Sequence, residues 1–141
     1  METILPELKS SLSLTLQLFF PFAGYLVLPP PPQMPSILYT EGDYVALVVY
    51  DSTADFNHLV ADHARHCREF QALVPNSPPA IATSRSNGCK HMQRPTMAVQ
   101  VTIFPNVGIS IGVGFSHIAA DGRTLAHFMK SWHRFINLKG I

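Results

Sequence analysis

The sequence predicts an α/β fold. Three observations carry that reading: β-prone runs at Met97–Phe104 and Gly108–Phe115, a third at Tyr44–Tyr50, and an apolar stripe at helical spacing through Leu125, Phe128, Met129, Trp132 and Phe135. The two late runs are joined by Pro105-Asn106 and read as a hairpin. Tyr44–Tyr50 is entered through Gly42-Asp43 and closed by Asp51-Ser52, so it reads as a strand. After Asp121-Gly122 the stripe leaves Lys130 and Arg134 on other faces, as a helix packed on one side requires.

The remaining segments are less one-sided. Leu12, Leu14, Leu16 and Leu18 alternate with polar residues as a strand would, whereas Leu5, Leu8, Leu12, Leu16 and Phe19 follow a helical repeat. Leu and Gln are good helix formers, only Thr15 is β-branched and Pro6 and Pro21 bracket the segment, so a helix over Leu8–Phe20 is the expectation. The run Pro29–Pro32 followed by Met34-Pro35 lacks amide donors and predicts an extended polyproline connector over residues 29–35. From Ala54 to Leu73 the chain is polar and rich in histidine. Pro75, Pro78, Pro79 and Ser86-Asn87-Gly88 then predict a polar loop over residues 75–95. No internal repeat is visible.

Composition narrows the function. The 141 residues carry 10 Lys+Arg against 9 Asp+Glu, a net charge of +1, which argues against nucleic acid or an anionic membrane as partner. The apolar stretch Leu12–Leu28 is too short and interrupted to span a bilayer. Glu2 and Glu7 outnumber Lys9, unlike the positive start of a secretory signal. Cys67 and Cys89 form neither a disulfide framework nor a zinc knuckle, so a reducing, cytoplasmic setting is expected. Only 13% of residues are charged while 47% are hydrophobic, which suggests that part of the surface is covered by further protein.

His117 stands where the last strand opens into a loop, with Asp121 four residues on. An imidazole titrates near neutrality and suits a general base, and a nearby carboxylate can fix the turn. The spacing alone is weak evidence, since 7 His and 5 Asp give roughly 0.24 chance matches, and His58-Leu-Val-Ala-Asp62 is a second instance. Ser116 and His117 are not part of a catalytic triad, because adjacent strand residues face opposite ways and no G-x-S-x-G elbow is present. Gly108, Gly112 and Gly114 lie in a β-prone run without the Lys-Ser/Thr of a phosphate loop, which points to close strand packing. His58, Asp62 and His66 recur every four residues with Cys67 beside them, so on a helix they would offer a metal-binding face; a metal module is the competing reading.

Several stretches together resemble the plant BAHD family of acyl-CoA-dependent acyltransferases, whose hallmark is HxxxD-G. They are Leu8 through Phe19-Phe20-Pro21-Phe22-Ala23-Gly24; Asp55-Phe56 with Leu73-Val74-Pro75; Val99 through Gly108; His117 with Asp121-Gly122-Arg123-Thr124; and Phe128 through Trp132. The pattern is most similar to the anthocyanin and phenolic-glucoside acyltransferases. The resemblance implies a lobe of chloramphenicol-acetyltransferase type, a mixed β-sheet with flanking helices, of which residues 1–141 are an incomplete N-terminal part. The family's first strand and its second lobe with a DFGWG motif are not in this sequence. It further implies His117 as catalytic base, Asp121 and Gly122 as structural motif residues, and no metal or bound cofactor. The co-substrate would be an acyl-CoA, malonyl-CoA or hydroxycinnamoyl-CoA, the acceptor a phenolic or its glycoside, and the whole protein a monomer. Asp121 would pair with an arginine outside this chain. The alternative within the same resemblance is a truncated chain without activity of its own.

Overall fold

A computed structural model describes residues 4–84, 88 and 90–138. The chain order is α1 (Ile4–Leu18), a 3₁₀ turn over Phe20–Ala23, β1 (Tyr25–Leu28), β2 (Ser36–Leu38), β3 (Ala46–Asp51), α2 (Phe56–Val60), α3 (Arg68–Gln71), β4 (Ile81–Ser84), β5 (Lys90–Pro95), β6 (Met97–Phe104), β7 (Gly108–Phe115) and α4 (Gly122–Leu138). The strands form two sheets. One is mixed and three-stranded in the order β3-β6-β7, with β3 parallel to β6 and β6 antiparallel to β7; the other is antiparallel in the order β2-β1-β5-β4.

Register explains why β6 and β7 were legible. Met97 pairs with Phe115, Val99 with Val113, Val101 with Ile111 and Ile103 with Ile109, so one face of the hairpin is wholly apolar. That face packs under α1 and α4, where Leu8, Leu12, Val99, Val101, Phe128 and Trp132 form the core. Asn106 in the hairpin loop has φ 60°, a left-handed conformation that Asn tolerates better than most residues. The opposite face carries Gln100 and Thr102 against Ser110, Gly112 and Gly114, and residues 56–75 lie across it.

The strand-like alternation inside α1 has a packing cause. Ser11 and Thr15 are both buried, on the side turned to α4. Trp132 donates its indole N–H to Ser11 Oγ at 2.9 Å, Ser11 donates to Leu8 O and Thr15 donates to Ser11 O. A buried indole needs an acceptor, and α1 supplies one from a position that reads as polar. Phe128, fully buried, contributes about 2–3 kcal/mol by area alone.

Two expectations are corrected. Residues 29–35 connect β1 to β2 at the surface, but not in extended polyproline geometry: they form a turn, closed by Gln33 N–H to Pro30 O at 3.3 Å, with a cis bond between Pro31 and Pro32. Cross-strand pairing of Tyr25 with Leu38 and Val27 with Ser36 forces the chain back on itself. Likewise residues 75–95 are not one polar loop, since they contain β4 and β5. Lys90–Pro95 carries little β-propensity, but it is paired on both sides, by β1 and β4. Its buried His91 is held by Thr83 Oγ1 at 2.9 Å and Gln93 Nε2 at 3.0 Å. Ser86, Asn87 and Cys89 lie outside the described residues.

Candidate active site

β7 delivers its C-terminal end to the loop that carries His117. Ser116, the first residue past the strand, donates its backbone N–H to Thr96 O at 2.9 Å, and Ala119 donates to Ser116 O at 2.8 Å. These bonds close a tight turn with His117 in it. The imidazole is exposed and rests against the Phe115 ring at 4.9 Å. Among the described residues it has no hydrogen-bond partner, so both ring nitrogens are open to a ligand. A cavity of about 60 Å³ lies beside the turn, lined by Pro75, Arg94, Thr96, Gly114 and Ser116 among others.

The turn ends on Asp121, which is the N-cap of α4. Its carboxylate accepts the Thr124 backbone N–H at 2.7 Å, satisfying a donor that the first helical turn leaves unpaired. That bond, with the Thr124 hydroxyl, holds the carboxyl below its ordinary value despite a small opposing effect of desolvation. Asp121 is exposed, and among the described residues no arginine pairs with it. Gly122 follows at the first helical position, where an added Cβ would meet nothing within 4 Å. Steric need for a glycine exists elsewhere, at Gly112. A Cβ there would overlap the Leu73 carbonyl oxygen and stand 2.8 Å from Val74 Cα, while one at Gly108 would stand 2.8 Å from the Phe56 ring. The glycines of β7 therefore serve the close approach of residues 56–75.

The metal reading does not survive. α2 ends at Val60, so His58, Asp62 and His66 do not share a helical face. His58 Nε2 is engaged by Glu69 Oε2 at 2.7 Å, and His66 contributes its backbone N–H to Glu69 Oε1 at 2.8 Å. Both bonds, that of His66 first, pull the Glu69 carboxyl below its usual range. His63 bonds the His58 carbonyl, and Arg65 reaches Leu59 O while lying 5.5 Å over the Phe70 ring. Among the described residues no three potential ligands stand close enough to hold a metal ion.

Sequence reasoning missed Thr96, whose carbonyl anchors the His117 turn. Its signal was present only as a lone threonine ahead of an apolar run. No helix among the described residues is long and apolar enough to cross a membrane.

The model of the family described as the Transferase family matches residues 2–139. A malonyl-coenzyme A:anthocyanin 3-O-glucoside-6''-O-malonyltransferase of Dahlia pinnata is 44% identical over 135 residues, covering 93% of this chain and 28% of that protein. A coumaroyl-CoA:anthocyanidin 3-O-glucoside-6''-O-coumaroyltransferase of Arabidopsis thaliana is 42% identical over 134 residues, 94% of this chain and 28% of the relative. Phenolic glucoside malonyltransferase 1 of Nicotiana tabacum is 38% identical over 132 residues, with 93% and 28% covered. The chain thus spans a little over a quarter of the length of the curated relatives it matches. Matched by the family model over nearly its whole length, and similar throughout to these enzymes, the chain belongs to the transferase family of BAHD acyltransferases.

Proposed function

We propose that this chain supplies the general base of a CoA-dependent acyltransferase, a lobe of chloramphenicol-acetyltransferase type that acts in the cytoplasm. The acyl donor is malonyl-CoA or a hydroxycinnamoyl-CoA, in keeping with the donors named for its relatives. The acceptor is a sugar hydroxyl of an anthocyanin or other phenolic glucoside. The observation that carries the reading is His117: exposed at the end of the half-buried strand β7, in a hydrogen-bonded turn, with its ring uncommitted.

In this mechanism the unprotonated His117 imidazole removes the proton from the acceptor hydroxyl as the oxygen attacks the thioester carbonyl. The tetrahedral intermediate then collapses, the carbon–sulfur bond breaks, and the imidazolium returns its proton to the departing CoA thiolate. No acyl-enzyme forms. Asp121 touches neither substrate in this scheme; as the cap of α4 it fixes the far end of the turn. The cavity beside the turn, about 60 Å³, admits a few water molecules and is far too small for a CoA thioester. The walls that position donor and acceptor therefore come from the remaining length found in the relatives. Exposed Val48, Val49 and Tyr50 on edge strand β3, with Phe20 and Tyr39, offer apolar surface for such walls to cover.

A chimera tests the proposal. Residues 2–139 replace the matching stretch of the Dahlia pinnata malonyltransferase, and acyl transfer is assayed with malonyl-CoA and coumaroyl-CoA. Transfer is expected, and His117→Ala should lower turnover by roughly 10² to 10⁴. A folded chimera whose His117→Ala variant keeps the parental rate overturns the assignment.

A further inference from the structure

Thr96 stands where the chain leaves one sheet and enters the other, between the last residue of β5 and the first of β6. It is 1% exposed. Its Oγ1 lies 3.0 Å from Pro21 O, 2.8 Å from Phe22 O and 2.9 Å from Gly24 O, so one hydroxyl proton is shared among three carbonyls of the turn that follows α1. Its backbone N–H also donates to Gly24 O at 3.1 Å. That turn is held from the other side too, because a Cβ on Gly24 would come within 2.5 Å of Leu38 O on β2.

The remaining polar group of Thr96 faces the other way. Its carbonyl accepts the Ser116 N–H, and the Ser116 carbonyl in turn accepts the Ala119 N–H, the bond that closes the turn around His117. A continuous path therefore runs from the Pro21–Gly24 turn through one buried threonine to the residue before the imidazole. We propose that Thr96 is a positioning residue for His117: its hydroxyl locks the sheet junction against the Pro21–Gly24 turn, and its carbonyl sets where the His117 turn begins. The proposal rests on His117 being the general base. Thr96 touches no substrate in it.

Valine is the informative replacement, since it keeps the shape of threonine and removes the hydroxyl proton while leaving the backbone carbonyl in place. Mere loss of core packing would weaken the whole molecule, whereas loss of a positioning bond loosens one turn selectively. Hydrogen exchange of the 141-residue chain, followed by mass spectrometry on peptides spanning residues 113–121 and 97–104, separates the two. Thr96→Val should speed exchange across 113–121 about tenfold relative to β6, and Thr96→Ser should restore it. Leu8→Ala, which opens the core on the helix side, should speed both peptides together. In the chimera Thr96→Val should lower kcat about tenfold or more with KM little changed, again rescued by Thr96→Ser.

If Thr96→Val proves too unstable to measure, the serine variant and the parent decide. Serine exchange in 113–121 as fast as an unfolded peptide, or a parent in which that turn is unprotected while β6 is protected, overturns the proposal. So does a Thr96→Val variant with parental exchange and parental kcat. An inert His117→Ala substitution in the chimera would instead overturn the assignment of the base, an outcome the exchange experiment on the turn does not share.

Discussion

The molecule contains the same spacing twice, as His58-x-x-x-Asp62 and His117-x-x-x-Asp121, and the two neighbourhoods are built differently. His117 is delivered by an eight-residue strand, its turn is tied at the start to Thr96 O and at the end to the first turn of a 17-residue helix, and its ring is left open. His58 sits in a five-residue helix capped by Asp55, not by Asp62, and its ring is spent on Glu69. One histidine sits in a turn pinned by the backbone bonds of its neighbours Ser116 and Ala119 and is free at its side chain. The other uses its side chain to hold a surface segment together. The spacing is common to both; what separates them is that the His58 ring is spent on Glu69 while the His117 ring is left open.

The sharpest way to break that comparison is to remove each ring in the chimera. His117→Ala should cost the 10² to 10⁴ in turnover given above, while His58→Ala should leave turnover within about twofold, measured in the same acyl-transfer assay. Comparable losses at both positions would mean the difference in framing has no chemical meaning.

Next in size is the contact between the two regions. Gly112→Ala should destabilise the chain by about 2 kcal/mol or more, because the clash is with Leu73 and Val74 backbone and the covering segment must lift. Denaturant unfolding measures it. By the opposite argument Gly122→Ala, at an open first helical position, should stabilise by about 0.4–1 kcal/mol through the unfolded chain.

The two aspartates should differ as the caps do. Asp121→Ala should lower the melting temperature by a few degrees, Asp121→Asn should be near neutral because Asn also caps, and Asp62→Ala should change little. Calorimetric scans of the three variants suffice.

The smallest effect is in pH. The Asp121 and Glu69 carboxyls both lie below their ordinary values. The stability each adds is therefore complete above about pH 4.5 and is lost as pH falls through the lower native value. Asp121→Asn and Glu69→Gln should each flatten the acid limb of the melting-temperature profile and leave the curve near neutrality unchanged in slope.

Sequence periodicity was a reliable guide wherever a face was uniformly apolar. β6 and β7 match their predicted bounds, Met97–Phe104 and Gly108–Phe115, because every second residue enters the core. The α4 stripe is legible for the same reason. α1 was readable only with help from propensity, since Ser11 and Thr15 are buried polar positions that serve Trp132. β1 was hidden in the apolar run Leu12–Leu28, and β5 has no apolar alternation at all. What makes Lys90–Pro95 a strand is a partner on each side, supplied by segments more than fifty residues apart in the chain, Tyr25–Leu28 and Ile81–Ser84. The β4 pairing is a near-neighbour hairpin, but local sequence does not encode the pairing with distant β1.

The candidate site divides the same way. The sequence by itself determined that His117 follows a strand, that Asp121 precedes a helix, and that this order of motifs is that of a BAHD acyltransferase. The first two are local, written in residues a few positions apart, and the third is the linear order of such local motifs. Only the tertiary structure decided that His58 is committed to Glu69, that the β7 glycines make room for residues 56–75, and that Thr96 joins the Pro21–Gly24 turn to the turn of His117. Those are contacts between groups 11, 38 and 75 positions apart, such as His58–Glu69 and Thr96–Pro21 at the two extremes. Hydrogen bonds and steric exclusion act through space at about 3 Å, so their partners are set by how the chain closes on itself and not by their spacing along it.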